Sequence, residues 1–372
     1  MSQSLLHTPE GVRDIYGQEY CNKAYVEAKM SNVITQFGYE TIETPTFEFF
    51  DVFSKEVGTI PSKDLYKFFD TENNTLVLRP DFTPSIARCA AKYFLEKNDA
   101  IRFSYHGSAF ARTNSHQGKL SESTELGAEL IGDASVYADG EVIALAIRSL
   151  LATGLKDFRV SIGHIGYFKG LCEQAGIDEA TELELRGLIS GKNHFAAMAL
   201  IDKTDIEPVI KEKLLGIADS FPDLDTLASA KDNVTSQRSL DAINRLEALY
   251  NVIKAYGYES YINFDLSMLS KYNYYTGVIF RVYTYGVGKP IVKGGRYDNL
   301  LAHFGKSAAA IGFVLQVDDI LEAINSQKIE LPAKEEAIVI EFDSTDAEGF
   351  AKALSEADKL RSQGKNVIVN PK

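Results

Sequence analysis

Two hydrophobic spacings run along the chain, and each predicts a different kind of element. Apolar residues that recur every three to four positions predict helices over residues 18–37, 84–95, 137–153 and 310–325. Alternation of apolar and polar residues predicts strands in shorter stretches between them. These strands cover residues 39–43, 65–69, 75–78, 102–110, 125–131, 158–162, 261–266, 278–285 and 290–293.

Two regions depart from this mixture of strands and helices. Residues 167–256 are polar and helical throughout, which predicts a helical insertion. Charged residues at 334–336 mark a linker, and one β-α-β unit follows it. We therefore predict a core at residues 1–328, with its insertion at about 167–256, and a truncated C-terminal α/β unit at 329–372. Widely separated, mostly hairpin-linked strands favour an α+β fold with an antiparallel sheet flanked by helices.

Charge and cysteine usage narrow the class of protein. The chain has 39 Lys and Arg against 52 Asp and Glu, a net charge of −13. Nucleic-acid binders usually carry a basic field, so protein or small-molecule partners are favoured. Cys21, Cys89 and Cys172 are far apart with no histidine at ligand spacing, which predicts a reducing, cytoplasmic location without metal sites or disulfides. The N-terminus does not resemble a signal peptide, and no apolar stretch is long enough to span a membrane.

Two carboxylates stand out within the predicted strand 125–131. Glu125 and Glu129 share one face of that strand with Gly127, while the residues between them face the core. Their spacing of roughly 13 Å is too long for the acid/base pairs of glycoside hydrolysis. They could line a groove for a cationic ligand, with Gly127 leaving room between them. A solvated sheet face is the alternative, and the pattern alone favours it.

Five segments, in the same order along the chain, resemble the catalytic core of histidyl-tRNA synthetases, which are class II enzymes. The resemblance covers roughly residues 5–325 and implies a class II aminoacyl-tRNA synthetase-like sheet. It also implies that the second segment contributes to a dimer interface. The segments are TPEGVRD (8–14), GYETIETPTFE (38–48), LRPDFTPSIAR (78–88), YYTGVIF (274–280) and KGGRYDNL (293–300).

The resemblance implies an amino-acid pocket that this chain largely keeps. Asp81 stands where the family has a glutamate that binds the α-amino group, and Glu125 stands where it has a glutamine. The aromatic lining that meets the imidazole is kept. The implied histidine-binding residues are Asp81, Thr83, Glu125, Glu129, Tyr274 and Tyr275.

The same resemblance implies that the machinery for ATP is lost. The family uses three arginines there, and by position they are replaced by Ala111, Ser270 and Asp319. A guanidinium stabilises the charge that builds up on phosphorus during adenylate formation. The chain therefore has no predicted catalytic residue and no predicted cofactor. Since the C-terminal unit is too short for a full anticodon-binding sheet, no tRNA partner is predicted either.

A family of paralogues with this combination is known, and the RPDFTP segment resembles it more than a synthetase. It comprises the regulatory subunits of ATP phosphoribosyltransferase, which acts first in histidine biosynthesis. That resemblance implies a non-catalytic, self-dimerising protein that assembles with short catalytic subunits, typically as a hetero-octamer, and mediates feedback inhibition by histidine. Two alternatives remain open. One is an active histidyl-tRNA synthetase with rearranged arginines, and the other is a synthetase-like module that senses tRNA or an amino acid.

Overall fold

The computed structural model describes residues 6–53, 60–97, 99–112, 120–191, 193–204, 206–219, 226–270 and 275–372. The chain divides into two compact units. The larger comprises Met1–Asp14 and Tyr25–Ile329, and the smaller comprises Ile15–Ala24 and Glu330–Lys372.

An eight-stranded sheet forms the centre of the larger unit. Its strands, in chain order, are β1 (Glu40–Thr41), β5 (Ile101–Phe110), β6 (Glu122–Ile131), β7 (Phe158–His164), β8 (Ile262–Phe264), β9 (Val278–Thr284), β10 (Val292–Arg296) and β11 (Ala310–Gln316). Across the sheet they follow the order β1-β5-β6-β11-β10-β9-β7-β8. The six central strands are antiparallel, and only the short edge strands β1 and β8 pair in parallel. The predicted α+β fold with a largely antiparallel sheet is confirmed.

A second, three-stranded sheet is formed by residues between β1 and β5 in the chain. It consists of β2 (Phe47–Phe49), β3 (Lys67–Phe69) and β4 (Thr75–Leu78), in the order β2-β4-β3. β3 and β4 form the predicted hairpin, and Asn73 at its turn has a positive φ of 63°. Asparagine tolerates that conformation better than most residues, which explains the turn.

The described residues before residue 330 form ten α-helices, six of which lie between β7 and β8 in the chain. They are α1 (Gly17–Gln36), α2 (Thr83–Tyr93), α3 (Val136–Ala152), α4 (Ile165–Gln174), α5 (Glu179–Ser190), α6 (His194–Ile201), α7 (Pro208–Asp219), α8 (Thr226–Ala230), α9 (Gln237–Ala255) and α10 (Val317–Ser326). The smaller unit adds β12 (Ile338–Phe342), α11 (Ala347–Ser362) and β13 (Val367–Pro371), with β12 and β13 paired in parallel.

The helix predicted at residues 310–325 is wrong in its first half. Ala310–Gln316 forms strand β11 and only Val317–Ser326 is helical. β11 lies between β6 and β10 and is buried on both faces over most of its length, so its apolar run is continuous. Periodicity cannot separate such a strand from a buried helix, and here the pairing of neighbouring strands decides.

Helix α3 covers one face of the large sheet. It begins after Ser135, whose hydroxyl accepts a hydrogen bond from the amide of Ala138 at 3.3 Å. On β10, Arg296 points towards α3 and binds Asp139 there, so Gly295 and Lys293 point to the opposite face. That opposite face carries the candidate site.

Candidate functional site

Glu125, Gly127 and Glu129 share one face of β6, as predicted. In the antiparallel register, residues directly opposite one another point to the same side of the sheet. The partners on β11 are Gly312 opposite Glu129, Val314 opposite Gly127 and Gln316 opposite Glu125. One strand further, Gly295 and Lys293 of β10 continue the same face.

Both glutamates are buried, so the alternative of a solvated sheet face is wrong. Glu125 is 8% exposed and Glu129 is 1% exposed. Loss of water disfavours the ionised carboxylate. Burial accordingly raises the pKa of Glu125 to about 7 and that of Glu129 to about 8. The two side chains therefore change charge close to neutral pH.

Glu129 is held by donors on two other elements. The Thr83 hydroxyl donates to its Oε1 at 2.8 Å, and the Tyr297 hydroxyl donates to its Oε2. These bonds favour the ionised form, but burial outweighs them in the pKa. The carboxylate lies against Gly312, where no side chain could be accommodated. The Thr83 and Tyr297 hydroxyls thus fix the position of the Glu129 carboxyl group at the site.

Glu125 is engaged on one side only. The Gln316 amide donates to its Oε1 at 3.0 Å. Within the described part of the chain, its second oxygen has no hydrogen-bond donor. After burial, the charge of Asp81 is the largest contribution that raises the pKa of Glu125. An acidic group with one free oxygen faces the site here.

Asp81 lies at the centre of the predicted residues. Its Oδ1 accepts a hydrogen bond from the amide of Thr83 at 3.0 Å, which positions it at the start of α2. Its charge also raises the pKa values of Glu125, Glu129 and Tyr275, so it lies close to each of them. The loop before α2 thereby brings a third carboxylate to the two on β6.

The aromatic lining is described for one of the two predicted tyrosines. The ring of Tyr275 lies on Gly295, where a Cβ would be 2.7 Å from its Cδ1. Burial and the charges of Asp81 and Glu129 raise the pKa of the Tyr275 hydroxyl, which stays neutral. Tyr274 lies outside the described residues.

The space predicted between Glu125 and Glu129 is filled by Tyr105. A Cβ on Gly127 would overlap the Tyr105 ring and hydroxyl. Tyr105 lies opposite Gly127 on β5 and stacks on Phe82, with the ring centroids 4.5 Å apart. Gly127 therefore makes room for a side chain of the protein itself, which separates the two glutamates.

Sequence reasoning missed Tyr105, Tyr297 and Gln316 as parts of this site. Tyr105 alternates correctly within its strand, but its partner Gly127 depends on the register of β5 and β6. Gln316 ends a strand that was predicted to be helical. Tyr297 lies within the segment KGGRYDNL, whose resemblance implies no role for this tyrosine.

The resemblance places Ala111, Ser270 and Asp319 where the synthetases have arginines, and this correspondence stays a prediction. Ala111 follows the end of β5, and Ser270 is 4% exposed, with its carbonyl oxygen accepting from Arg186 at 3.3 Å. The carboxylate of Asp319 pairs with Lys289 at 2.9 Å. In the described residues, no group of three or more His, Cys, Asp or Glu side chains could hold a metal ion.

The arrangement suits a small cation with several hydrogen-bond donors. Three carboxyl groups converge on a face lined by tyrosines, and a cationic ligand would stabilise the ionised forms that burial disfavours. Among the helices described, none is long and apolar enough to cross a membrane.

Comparisons with known proteins bear on the family to which the chain belongs. The family model for histidyl-tRNA synthetase matches residues 11–320. An ATP phosphoribosyltransferase regulatory subunit from Acetivibrio thermocellus is 38% identical over 370 residues, which are 100% of this chain and 88% of the relative. One from Geobacillus kaustophilus is 35% identical over 98% of this chain and 91% of the relative.

Solved structures give the same result. A structure described as an ATP phosphoribosyltransferase regulatory subunit/histidyl-tRNA synthetase from Bacillus halodurans superposes with a TM-score of 0.89 at 32% identity, covering 100% of this chain and 94% of the other. A histidyl-tRNA synthetase from a Nostoc species has a TM-score of 0.81 at 20% identity, covering 99% of this chain and 86% of the other, and supports the fold alone. The chain belongs to the family of ATP phosphoribosyltransferase regulatory subunits, which share the histidyl-tRNA synthetase fold.

Proposed function

We propose that this chain is a non-catalytic subunit that short catalytic subunits of ATP phosphoribosyltransferase require for activity, and that it carries their feedback inhibition by histidine. The observation that carries the proposal is the contrast between the acidic site and the positions of the synthetase arginines. The acidic pocket brings three carboxyl groups next to Tyr275. The resemblance implies that Ala111, Ser270 and Asp319 occupy the positions of the ATP-binding arginines.

Each pocket residue has a role in this proposal. Asp81 and the free oxygen of Glu125 bind the α-ammonium group of histidine. Tyr275, together with Tyr274, lines the imidazole. Because Thr83 and Glu129 hold each other, Glu129 presents its carboxylate to the ring N–H with little loss of side-chain entropy. Histidine suits this site since it combines an ammonium with a second hydrogen-bond donor.

The absence of synthetase activity follows from electrostatics. Adenylate formation places negative charge on a phosphorus centre and requires preorganised cations around it. At the position of the third arginine, Asp319 is a carboxylate whose charge is matched by Lys289. An ATP phosphate would meet no fork of N–H donors there.

Histidine inhibits through linkage in this proposal. It must bind the inhibited assembly more tightly than the active one, and substrates must then weaken histidine binding by the same factor. The long connection at residues 111–123 is one element that responds to histidine. Residues 113–119 of it lie outside the described residues. Hydrogen exchange of residues 111–123 with and without histidine tests this role, and identical protection would remove the connection from the mechanism.

A second surface supports self-association through the segment 38–48 and its neighbours. Phe47, Phe49 and Phe68 lie on one face of the small sheet and are 52%, 56% and 37% exposed. Contiguous exposed aromatic side chains of this kind mark interaction surfaces. A second copy of the chain is the proposed occupant, as the family resemblance implies.

Reconstitution tests the regulatory function. The purified chain is mixed with a short catalytic subunit, and phosphoribosyltransferase activity is measured with and without histidine. We expect activity to appear on mixing and to fall when histidine is added. No gain in activity would contradict the proposal.

Two controls separate the alternatives. Asp81→Asn removes one ammonium partner, so it should weaken inhibition by histidine while leaving activation by the subunit in place. Histidine-dependent exchange between ATP and pyrophosphate by the chain alone would instead establish a synthetase. Location in the cytoplasm and a hetero-octameric stoichiometry stay predictions, and fractionation and mass measurement of the complex address them.

A further inference from the structure

Arg79 borders the pocket and is almost fully buried. It follows β4 and is 7% exposed. Its Nε donates to the carbonyl oxygen of Ser108 at 2.8 Å, and its Nη1 donates to that of Thr44 at 2.9 Å. The guanidinium also lies on the ring of Phe82, 4.1 Å from its centroid. These contacts fix the plane of the guanidinium.

The remaining nitrogen, Nη2, faces the site. A Cβ on Gly107 would be 2.7 Å from Nη2. Because glycine has no Cβ, the guanidinium can pack directly against the backbone of Gly107. Gly107 lies directly opposite Glu125 in the sheet, on the same face. The charge of Arg79 lowers the pKa of Glu125, and the charge of Glu125 raises that of Arg79. The two groups are therefore neighbours on the ligand face.

Nη2 has no hydrogen-bond acceptor in the described part of the chain. A guanidinium N–H that has no acceptor in the protein can donate a charge-assisted hydrogen bond to an anionic ligand. Glu125, with its own free oxygen, lies beside it. A fixed cation and a fixed anion, each with one unused hydrogen-bonding position, form a pair that fits a zwitterion.

We propose that Arg79 binds the α-carboxylate of the amino acid, while Glu125 and Asp81 bind its ammonium group. This inference rests on the proposed histidine site and adds the residue that distinguishes a free amino acid from an amine. Ser270, at a position where the resembling enzymes have an arginine, supplies no guanidinium. Arg79, beside Glu125, supplies a positive charge instead.

Lys293 offers a matched comparison. It lies on the same face, and its charge also lowers the pKa of Glu125. Its side chain is exposed, however, whereas that of Arg79 is fixed by two backbone carbonyls and a ring. A preorganised guanidinium loses little entropy on binding a carboxylate and can bind it through two parallel hydrogen bonds. Arg79 rather than Lys293 should bind the α-carboxylate of the ligand.

Calorimetric titration with histidine and with histidinol, which lacks the carboxylate, tests the inference on the full chain. The wild-type protein should bind histidine roughly 10- to 100-fold more tightly than histidinol, as expected for one charge-assisted contact. In Arg79→Gln this ratio should fall to about one, with the histidinol affinity changed less than about threefold. Lys293→Gln should keep the wild-type ratio.

The outcomes separate this inference from the proposed function. If the wild-type protein binds neither ligand, the histidine site itself is wrong. If it binds both equally, or if Lys293→Gln rather than Arg79→Gln removes the preference, the assignment of Arg79 is overturned. Should Arg79→Gln fail to fold by circular dichroism, Arg79→Lys replaces it. That variant keeps the charge without the fork, so it should lower the ratio, and an unchanged ratio would overturn the assignment.

Discussion

At the scale of residues, Glu125 and Glu129 lower the stability of the fold while offering carboxyl groups to a cationic ligand. Glu125 and Glu129 are buried among Asp81, Thr83 and Tyr297, an environment that disfavours their charged forms. A protein would gain stability by replacing such groups with neutral ones. Their presence in a face that also holds tyrosines is consistent with a site kept for a cation rather than for packing.

Glu125→Gln should change how stability depends on pH. The folded pKa of about 7 lies above the ordinary value of 4.5. Between these values the unfolded carboxyl releases its proton while the folded one keeps it, so this group costs more stability as pH rises. The variant lacks that cost, and its stability relative to the wild type should increase by up to about 3 kcal/mol between pH 5 and pH 8.

Urea unfolding of both proteins at several pH values measures this difference. Glu122→Gln serves as the control because Glu122 is exposed at the start of the same strand. That variant should show no comparable change relative to the wild type. An equal stability difference between wild type and Glu125→Gln at pH 5 and pH 8 would contradict the buried-carboxylate account.

At the scale of elements, four strand glycines leave room for large neighbouring side chains on one face of the sheet. Gly127 accommodates Tyr105, Gly312 accommodates Glu129, Gly295 accommodates Tyr275 and Gly107 accommodates Arg79. Each glycine lies on a strand, and a larger residue at its position would place a Cβ in the space that the neighbouring side chain occupies. The positions of these four side chains therefore depend on the absence of a Cβ at the four glycines.

Gly127→Ala should destabilise the fold and disturb the pocket. The added Cβ would overlap the Tyr105 ring and the carbonyl oxygen of Phe313. Relief requires movement of the backbone or the ring, at a cost of roughly 1–3 kcal/mol. Thermal and chemical unfolding measure the change. Gly288→Ala is the matched control, since nothing lies within 4 Å of its added Cβ, and a similar loss in both variants would refute the packing argument.

Asp139→Asn should lower the free energy of unfolding, because Asp139 links α3 to β10 and α9. Asp139 of α3 is 0% exposed and accepts hydrogen bonds from Arg296 of β10 at 2.8 Å and from Arg245 of α9 at 2.7 Å. The neutral variant leaves two guanidiniums short of a counter-charge, which should cost about 3–5 kcal/mol of unfolding free energy.

Denaturant titration measures the loss in Asp139→Asn. Asp358→Asn provides the comparison because Asp358 is 74% exposed in its ion pair with Arg361, and exposed pairs contribute about 0–1 kcal/mol. Equal effects in the two variants would show that the buried network contributes no more than a surface pair.

At the scale of the whole molecule, an acidic chain carries an exposed aromatic face on its small sheet. The net charge of −13 opposes non-specific association, so self-association requires a surface whose apolar contacts outweigh the repulsion. Phe47, Phe49 and Phe68 form such a surface, with the rings of Phe47 and Phe68 in edge contact at 5.7 Å.

Phe49→Glu should convert a dimer of the wild-type chain into a monomer. The new carboxylate would have to be buried opposite its symmetric copy, which is costly. Sedimentation velocity at micromolar concentration measures the species present. Phe195→Glu is the control, since Phe195 is 88% exposed on α6, away from that sheet. A wild-type monomer, or an unchanged dimer in Phe49→Glu, would reject this surface.

Local patterns were sufficient for much of the architecture. The α+β fold and the shared face of Glu125 and Glu129 follow from two-residue alternation, because successive side chains of a strand point to opposite faces. The convergence of Asp81 with that face came from motif resemblance instead. The helix predicted across β11 failed because a strand buried on both faces has no alternation to detect.

The sequence by itself determined which residues share a strand face and which chemistry they offer. Only the tertiary structure decided which strands are neighbours, and hence that Tyr105 fills the gap at Gly127 and that Arg79 reaches Glu125 across Gly107. Strand register and burial depend on contacts between residues far apart in the chain, so no local pattern contains them. Burial then shifts the pKa values of the two glutamates towards neutrality, although the pattern alone favoured a solvated face for them.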